Sequence, residues 1–444
     1  MQAFADFWSS AVDIAWGLPL VVLLVSSGIY FTISSKFLPF RALRHAIEIL
    51  RGKYDNPDDP GEITHFQALT SALSATIGMG NIAGVALAIS VGGAGAIFWM
   101  WIAGLIGMAT KFFTCTLSCM YRKEDEDGIE QGGPMYFIEV GLGKAFKPLA
   151  IVFAICGMVG CLALYQVNQL AAIVAGDDTT IRIGIGVISM IIVGIVILGG
   201  IVRVGKVTAR LVPAMAILYF VSALYIVLLN AAMVPEILLT IVKSAFGQEA
   251  VVGGAAGVAF SKVLVTGIKR AAFSNEAGIG TAPMAHGAAK TKEPVREGLV
   301  AMMGPFIDTN IVCTLTALVI LSTGVSAESD GVVMTANAFA TAMPGFGKPI
   351  LILVVSLFAI STMISYSYYG LKCAKYLFGK KRGQWYIYPY LLALPVAAYL
   401  TEDTVINIID TCFAFMAVPT LVSTLLLSRK VIAALKDYYR RMGI

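Results

Sequence analysis

The sequence predicts an all-α polytopic membrane protein: one N-terminal helix followed by two sets of five helices of inverted topology, each set opening on a discontinuous helix. Three observations predict it. The 444-residue chain is 58% hydrophobic and only 13% charged, with a mean hydropathy of +0.82; a soluble domain carries about 25% charged residues. Apolar runs near 20 residues, long enough to cross a bilayer, recur along it. Two of these runs are interrupted by polar, glycine-rich stretches, SATIGMGNIAG at 74–84 and KRAAFSNEAGIGTAPMAH at 269–286. Irregular backbone at membrane depth survives only where protein buries it or where it lines a cavity.

Eleven membrane segments follow in order. The first spans about 15–34 and ends at a basic loop. The second, about 66–91, contains the first interruption. The third covers about 94–120. The fourth, about 148–173, carries the amides Gln166 and Asn168. The fifth and sixth, about 183–201 and 211–233, are separated by Arg203, Lys206 and Arg210. The seventh, about 254–288, contains the second interruption. The eighth, about 298–323, carries Asp308, Thr309 and Asn310, and the ninth, about 349–377, a run of hydroxyls. The tenth and eleventh cover about 385–400 and 405–427. The chain thereby divides into an extra helix with its basic loop (1–64), two five-helix repeats (65–233 and 234–428) and a tail (429–444).

Basic residues fix the expected orientation. Alternate loops, beginning with 36–53, collect Lys36, Arg41, Arg44, Arg51, Lys53, Arg122, Lys123, Lys144, Lys147, Arg203, Lys206, Arg210, Lys290, Lys292, Arg296, Lys372, Lys375, Lys380, Lys381 and Arg382, and the tail adds five more. The opposite loops hold only Arg182, Lys243 and Lys348. The first set is therefore expected on the cytoplasmic side of the cell (inner) membrane, with the N-terminus outside and the C-terminus inside. The outer loop at 326–347 has no Lys or Arg, and residues 332–343 within it are expected to form a short amphipathic helix, either a lid or an interfacial helix.

Composition also excludes. The net charge of +5 lies in short loops and does not indicate nucleic acid. The seven cysteines lie in or beside apolar segments, so no structural disulfide is expected, and Cys115 with Cys119 reads as packing. No signal peptide is expected at the N-terminus. There is no Walker loop, metal-ligand spacing or nucleophile elbow, which argues against primary active transport and against an enzyme. No filter motif suggests a channel. A non-transporting sensor on the same scaffold stays open as a further alternative.

The interruptions carry the chemistry. Gly78-Met79-Gly80-Asn81 unwinds cheaply and frees backbone N–H groups, which suit a carboxylate, and carbonyls, which suit a cation. The second break offers Ser274, Asn275 and Glu276, with Phe273 as a wall. Lys269, Arg270 and Glu276 are costly at this depth unless paired. Two readings stand for them: a gate along the pathway, or internal pairing that holds the broken helix together, with Asp308 as partner. Ser361-Thr362 in the ninth segment place hydroxyls where they could complete an all-oxygen cation shell, or back-bond to their own helix. Asp308-Thr309-Asn310 is a second cation candidate. Lys111 is expected to snorkel to the cytoplasmic face.

At these residues the chain resembles a known family. GMGNIAGVA at 78–86, FWMW at 98–101, GGPMYF at 132–137, the run 273–291, SYSYYG at 365–370 and Lys372-Cys373 are similar to the alanine/glycine:cation symporter family. That family resembles the amino acid–polyamine–organocation superfamily, with its leucine-transporter-like fold of five plus five inverted helices. The resemblance implies Na⁺-coupled uptake of a small neutral amino acid, alanine or glycine, with H⁺ as an alternative ion. It implies that the substrate carboxylate meets amides around Gly78, Met79 and Gly80. The amino group would meet carbonyls near Phe273 and Ser274, with Asn81, Gln166, Asn275 and Tyr366 lining the site. By analogy with the wider fold, Na⁺ would be held by the carbonyls of Ser74 and Ile77 and the hydroxyls of Ser361 and Thr362. Met79 stands where Thr is usual and Tyr366 where Trp is usual, which makes glutamine a further candidate substrate. The lipid bilayer is the expected surrounding, and the sequence is silent on oligomeric state.

Overall fold

The protein is described by a computed structural model covering residues 2–246, 255–325 and 331–443. The expected start of the seventh segment at Gly254 and residues 326–330 of the outer loop lie outside the described residues. Eight helical stretches among those described are long and apolar enough to cross a membrane, or nine when the bent pair at the N-terminus is taken as one span. That measure does not reproduce the expected eleven, for two physical reasons. The stretch Gly347–Tyr399 joins two helices, Gly347–Gly383 and Ile387–Tyr399, through a non-helical kink at Gly379 (φ 77°, ψ 167°) and a short 3₁₀ turn. The long half of the second broken helix, Ala255–Asn275, has the length but carries Lys262, Lys269 and Arg270, too many charges for an apolar span.

The extra N-terminal element is two helices, Gln2–Ala15 and Leu18–Ser34, bent by 45° with Pro19 opening the second. It leans on the long C-terminal helix Glu402–Met442, where the Trp16 indole N–H donates to the Asp410 carbonyl at 2.8 Å. The first broken helix sits in the middle of the bundle. Of the most apolar stretch of His65–Gly92, 94% is buried, against 28% for Thr179–Ile197, which faces outward. Its start is fixed by a capping box: the Thr64 hydroxyl accepts from the Gln67 amide at 3.2 Å, and the Gln67 side chain accepts from the Thr64 amide at 3.0 Å. The inner half-helix runs His65–Thr76 and the outer half-helix Met79–Gly92.

The second broken helix is Ala255–Asn275 followed by the short helix Ala282–His286. Between them Glu276 takes a left-handed conformation (φ 54°), and Gly278 and Gly280 carry φ of 90° and 101°. Side-chain crowding makes such values uncommon for a residue other than glycine, so Glu276 is held there by its surroundings. A third discontinuity, unforeseen in the sequence, splits the fourth segment into Lys147–Gly160 and Leu164–Ala175 at Ala163, also left-handed (φ 54°). A small antiparallel hairpin, Lys123–Glu124 with Glu130–Gln131, is the only sheet among the described residues.

On the face expected to be cytoplasmic, the residues before the first broken helix pair with those after the second. Ile63 and Ala289 form a parallel bridge in which the Glu62 amide donates to the Ala288 carbonyl at 2.8 Å and the Lys290 amide to the Ile63 carbonyl at 2.7 Å. On the opposite face the short helix Gly331–Ala342 packs on the outer half-helix, and the Thr335 hydroxyl donates to the Ile82 carbonyl at 3.2 Å. It buries Val332, Met334, Ala336, Ala338 and Phe339 and so is inserted among helices rather than lying on a surface.

Candidate functional site

The two breaks meet in the centre of the bundle. Gly80 faces the second break so closely that a Cβ there would stand 3.0 Å from the Ser274 Cα and 3.3 Å from the Phe273 ring. Gly78 faces the ninth segment, where a Cβ would lie 2.6 Å from the Thr362 hydroxyl. Side chains at either position would push the elements apart, which explains glycine at both.

Asn81 joins the two breaks. Its carbonyl oxygen accepts from the Gly78 amide at 2.8 Å, capping the outer half-helix. Its Nδ2 lies 2.7 Å from Asp308 Oδ1, 3.1 Å from the Asp308 carbonyl and 3.2 Å from the Ser274 hydroxyl. Asp308 in turn accepts from the Ser274 hydroxyl at 2.8 Å and the Thr309 hydroxyl at 2.9 Å. Asp308 sits on a π-helical stretch, Phe306–Cys313, which differs from an ordinary α-helix in register. It is fully buried, and a buried carboxylate is tolerated only with such donors around it.

A second cluster lies beside Gly78. The Thr362 hydroxyl donates to the Ser74 carbonyl at 3.0 Å, and the Ser74 hydroxyl donates to the Ser361 carbonyl at 2.8 Å. The Ser74 and Ser361 hydroxyl oxygens are 2.6 Å apart. Thr362 also back-bonds to the Phe358 carbonyl at 3.0 Å, so its hydroxyl is shared between its own helix and the first break. Ser74, Ser361 and Thr362 are buried. Ile77, the remaining expected ligand, ends the inner half-helix in an extended conformation (φ −71°, ψ 92°). Neutral hard oxygens buried together form a donor set that suits a hard cation.

The other expected site residues are distributed as follows. Phe273 packs edge-to-face on Tyr165 at 5.5 Å between ring centroids and against Phe413 at 6.0 Å. Met79 is completely buried. Gln166 is 3% exposed, and its Oε1 has no hydrogen-bond partner among the described protein groups. Asn275 turns away from the first break: its Nδ2 donates to the Thr309 hydroxyl at 2.9 Å and its Oδ1 accepts from the Ala277 amide at 2.9 Å. The Tyr366 hydroxyl donates to the Glu276 carboxylate, which also accepts from the Thr281 hydroxyl. Asn168 holds two helices together, donating to the Ala397 and Leu400 carbonyls at 3.1 and 2.7 Å.

Two expectations are corrected. Lys269 and Arg270 do not pair with Asp308. Both bind Asp410 of the C-terminal helix, Lys269 at 2.9 Å, and the Arg270 guanidinium lies 5.3 Å over the Phe273 ring. The Asp308 side chain is already committed to Asn81, Ser274 and Thr309. Asp410 was a missed residue, although a lone carboxylate within the apolar eleventh segment was a signal. Asp410→Asn is expected to leave two cations short of a partner and to destabilise the protein by about 3–5 kcal/mol; thermal unfolding of the detergent-solubilised variant measures it. Lys111 does not snorkel: it is 2% exposed on the helix Gly95–Met120. Glu276 and Asp308 lie within electrostatic reach of its amino group. Its stem cannot reach solvent because helices crowd it, and residue spacing alone did not reveal that.

A central site built on two unwound helices has the form of a transport site, and no cluster of metal-ligating side chains occurs among the described residues. Comparison with known proteins agrees. The Sodium/alanine symporter AgcS of Methanococcus maripaludis is 39% identical over 445 residues, covering 98% of this chain and 97% of that one. The Probable sodium/glutamine symporter GlnT of Bacillus subtilis is 34% identical, covering 97% and 90%. Among solved structures, the crystal structure of MhsT in complex with L-phenylalanine is similar with a TM-score of 0.59 at 14% identity, covering 83% of this chain and 89% of that one, a likeness of fold alone. The fold is accordingly leucine-transporter-like, and the protein is a transporter rather than an enzyme. Residues 1–443 match the profile of the sodium:alanine symporter family, and the chain belongs to that family.

Proposed function

We propose that the protein imports a small neutral amino acid, alanine or glycine, together with Na⁺, by alternating access about the two breaks. The observation that carries this reading is the contact between the oxygen cluster and the substrate break: Thr362 touches both the Ser74 carbonyl and the position of Gly78. An ion held by Ser74, Ile77, Ser361 and Thr362 would order the backbone whose amides, at Gly78, Met79 and Gly80, receive the carboxylate. The ammonium would meet the unpartnered Oε1 of Gln166 and carbonyls near Phe273 and Ser274. Because the two sites share one piece of backbone, occupation of either favours the other, and the coupling is reciprocal. The membrane orientation that accompanies this reading is N-terminus outside and C-terminus cytoplasmic.

The substrate has a second candidate. Tyr366 presents its hydroxyl to Glu276 rather than an indole to the cavity. Tyrosine is smaller than tryptophan, and the roomier wall supports glutamine.

Radiolabelled L-alanine uptake into proteoliposomes tests the proposal. Accumulation driven by an inward Na⁺ gradient and blocked by glycine is expected. Inhibition strongest with glutamine moves the substrate and keeps the mechanism. Uptake indifferent to Na⁺ but driven by a proton gradient removes Na⁺ from the oxygen cluster.

A further inference from the structure

Glu297 lies outside the breaks, on the helix Pro294–Ala301, and takes no part in the hydrogen bonds of the transport site described above. It is fully buried. One carboxylate oxygen accepts from His65 Nδ1, and the other from His286 Nδ1 at 2.5 Å. The two histidines are 2% and 1% exposed. Their positions give the trio its meaning. His65 is the first residue of the inner half of the first broken helix. His286 is the last residue of the inner half of the second. A single carboxylate from a third helix therefore bridges the cytoplasmic ends of both discontinuous helices.

The surroundings form a zipper around this bridge. The parallel pairing of Ile63 with Ala289 runs beside it, and the Thr291 amide donates to the Pro60 carbonyl at 3.0 Å. Gly61 (φ 131°) lies directly against the Ala289 backbone, where a side chain would not fit. The Arg122 guanidinium donates to the Ala289 carbonyl at 2.5 Å and to Glu130 at 2.7 Å. The backbone bonds and Arg122 tie only the loops. Glu297 is the group whose side chain reaches both half-helices.

We propose that Glu297 is the latch of the cytoplasmic gate, a positioning residue whose two hydrogen bonds must break before the inner half-helices separate. This rests on the alternating-access reading for its purpose, though its geometry is independent of substrate and ion. Hydrogen bonds to a buried carboxylate are the strong kind, and an amide in its place can accept from only one of two donating imidazoles. Glu297→Gln therefore removes the charge and leaves one imidazole to bond only by changing tautomer and accepting from the amide, while keeping the shape of the side chain.

The chain contains its own reporter. Cys119 is 8% exposed, with its thiol 3.5 Å from the His286 carbonyl, directly behind the latch. Cys115, one turn deeper on the same helix, is fully buried and serves as an internal reference. The experiment is alkylation of the full-length protein in inside-out membrane vesicles by a membrane-impermeant maleimide, followed by mass spectrometry of the peptides. Glu297→Gln is expected to raise the Cys119 alkylation rate about tenfold with Cys115 unchanged, and His65→Gln and His286→Gln to raise it by smaller factors. An unchanged Cys119 rate overturns the latch. Equal acceleration of Cys115 also overturns it, because the bundle has then loosened as a whole. Neither outcome depends on alanine uptake, so a failed transport assay and a failed latch are read separately.

Discussion

Asn81→Leu is expected to weaken amino acid binding strongly while leaving the protein inserted and monodisperse. The side chain makes contacts to both breaks at once: it accepts from the Gly78 amide and donates toward Asp308 and Ser274. Leucine matches its size and offers neither. Two consequences follow. The Gly78 amide loses its partner, so the outer half-helix can start elsewhere and the amides intended for the carboxylate lose their alignment. The buried Asp308 carboxylate loses a donor, a cost of about 1–3 kcal/mol. If that cost is expressed in the bound state, the dissociation constant for alanine rises about five- to 150-fold, since each 1.4 kcal/mol is about tenfold. Equilibrium binding of labelled alanine to the solubilised variant measures it, with size-exclusion chromatography as the check on folding. Retained affinity removes Asn81 from the site.

The sequence carried the broken helices because a bilayer makes polar, glycine-rich interruptions conspicuous: no ordinary membrane helix contains GMGN or SNEAGIG. It carried the approach of Ser361 and Thr362 to the first break only through a family resemblance, since Ser and Thr back-bond within helices as readily as they reach across them. Three features were illegible for identifiable reasons. The break at Ala163 has no glycine or proline in Cys161-Leu162-Ala163 to announce it; tertiary packing imposes the left-handed residue. The pairing of Lys269 and Arg270 with Asp410 joins positions 140 residues apart for the arginine; the lone carboxylate of the eleventh segment marked Asp410 as paired, but Asp308 and Glu276 gave the same signal, and only the fold says which carboxylate meets the two cations. His65, His286 and Glu297 sit at helix ends beside charged loops, where polar residues are ordinary; only the fold brings the three side chains together.

Ser361→Ala with Thr362→Val carries the second large expected effect, on the ion rather than the amino acid. Each substitution removes one hydroxyl and nearly conserves volume, and valine keeps the branched shape that threonine has in the helix. Thr362 loses its bonds to the Ser74 and Phe358 carbonyls, of which the second is local and replaceable in kind by the helix itself. What disappears is the hydroxyl part of the link between the ninth segment and the first break, while the Ser74 hydroxyl keeps its bond to the Ser361 carbonyl. If the oxygen cluster holds Na⁺, each change is expected to raise the half-saturating Na⁺ concentration about tenfold, and both together about a hundredfold when the losses add. The linkage gives a stricter criterion than the loss itself. The factor by which Na⁺ raises alanine affinity must equal the factor by which alanine raises Na⁺ affinity, and in the double variant both must fall together toward unity. Titrating alanine at several Na⁺ concentrations, and Na⁺ at several alanine concentrations, measures the two factors separately. A double variant that keeps the wild-type coupling factor would place the ion elsewhere, and the buried carboxylate of Asp308, with its three polar neighbours, would be the next site to substitute.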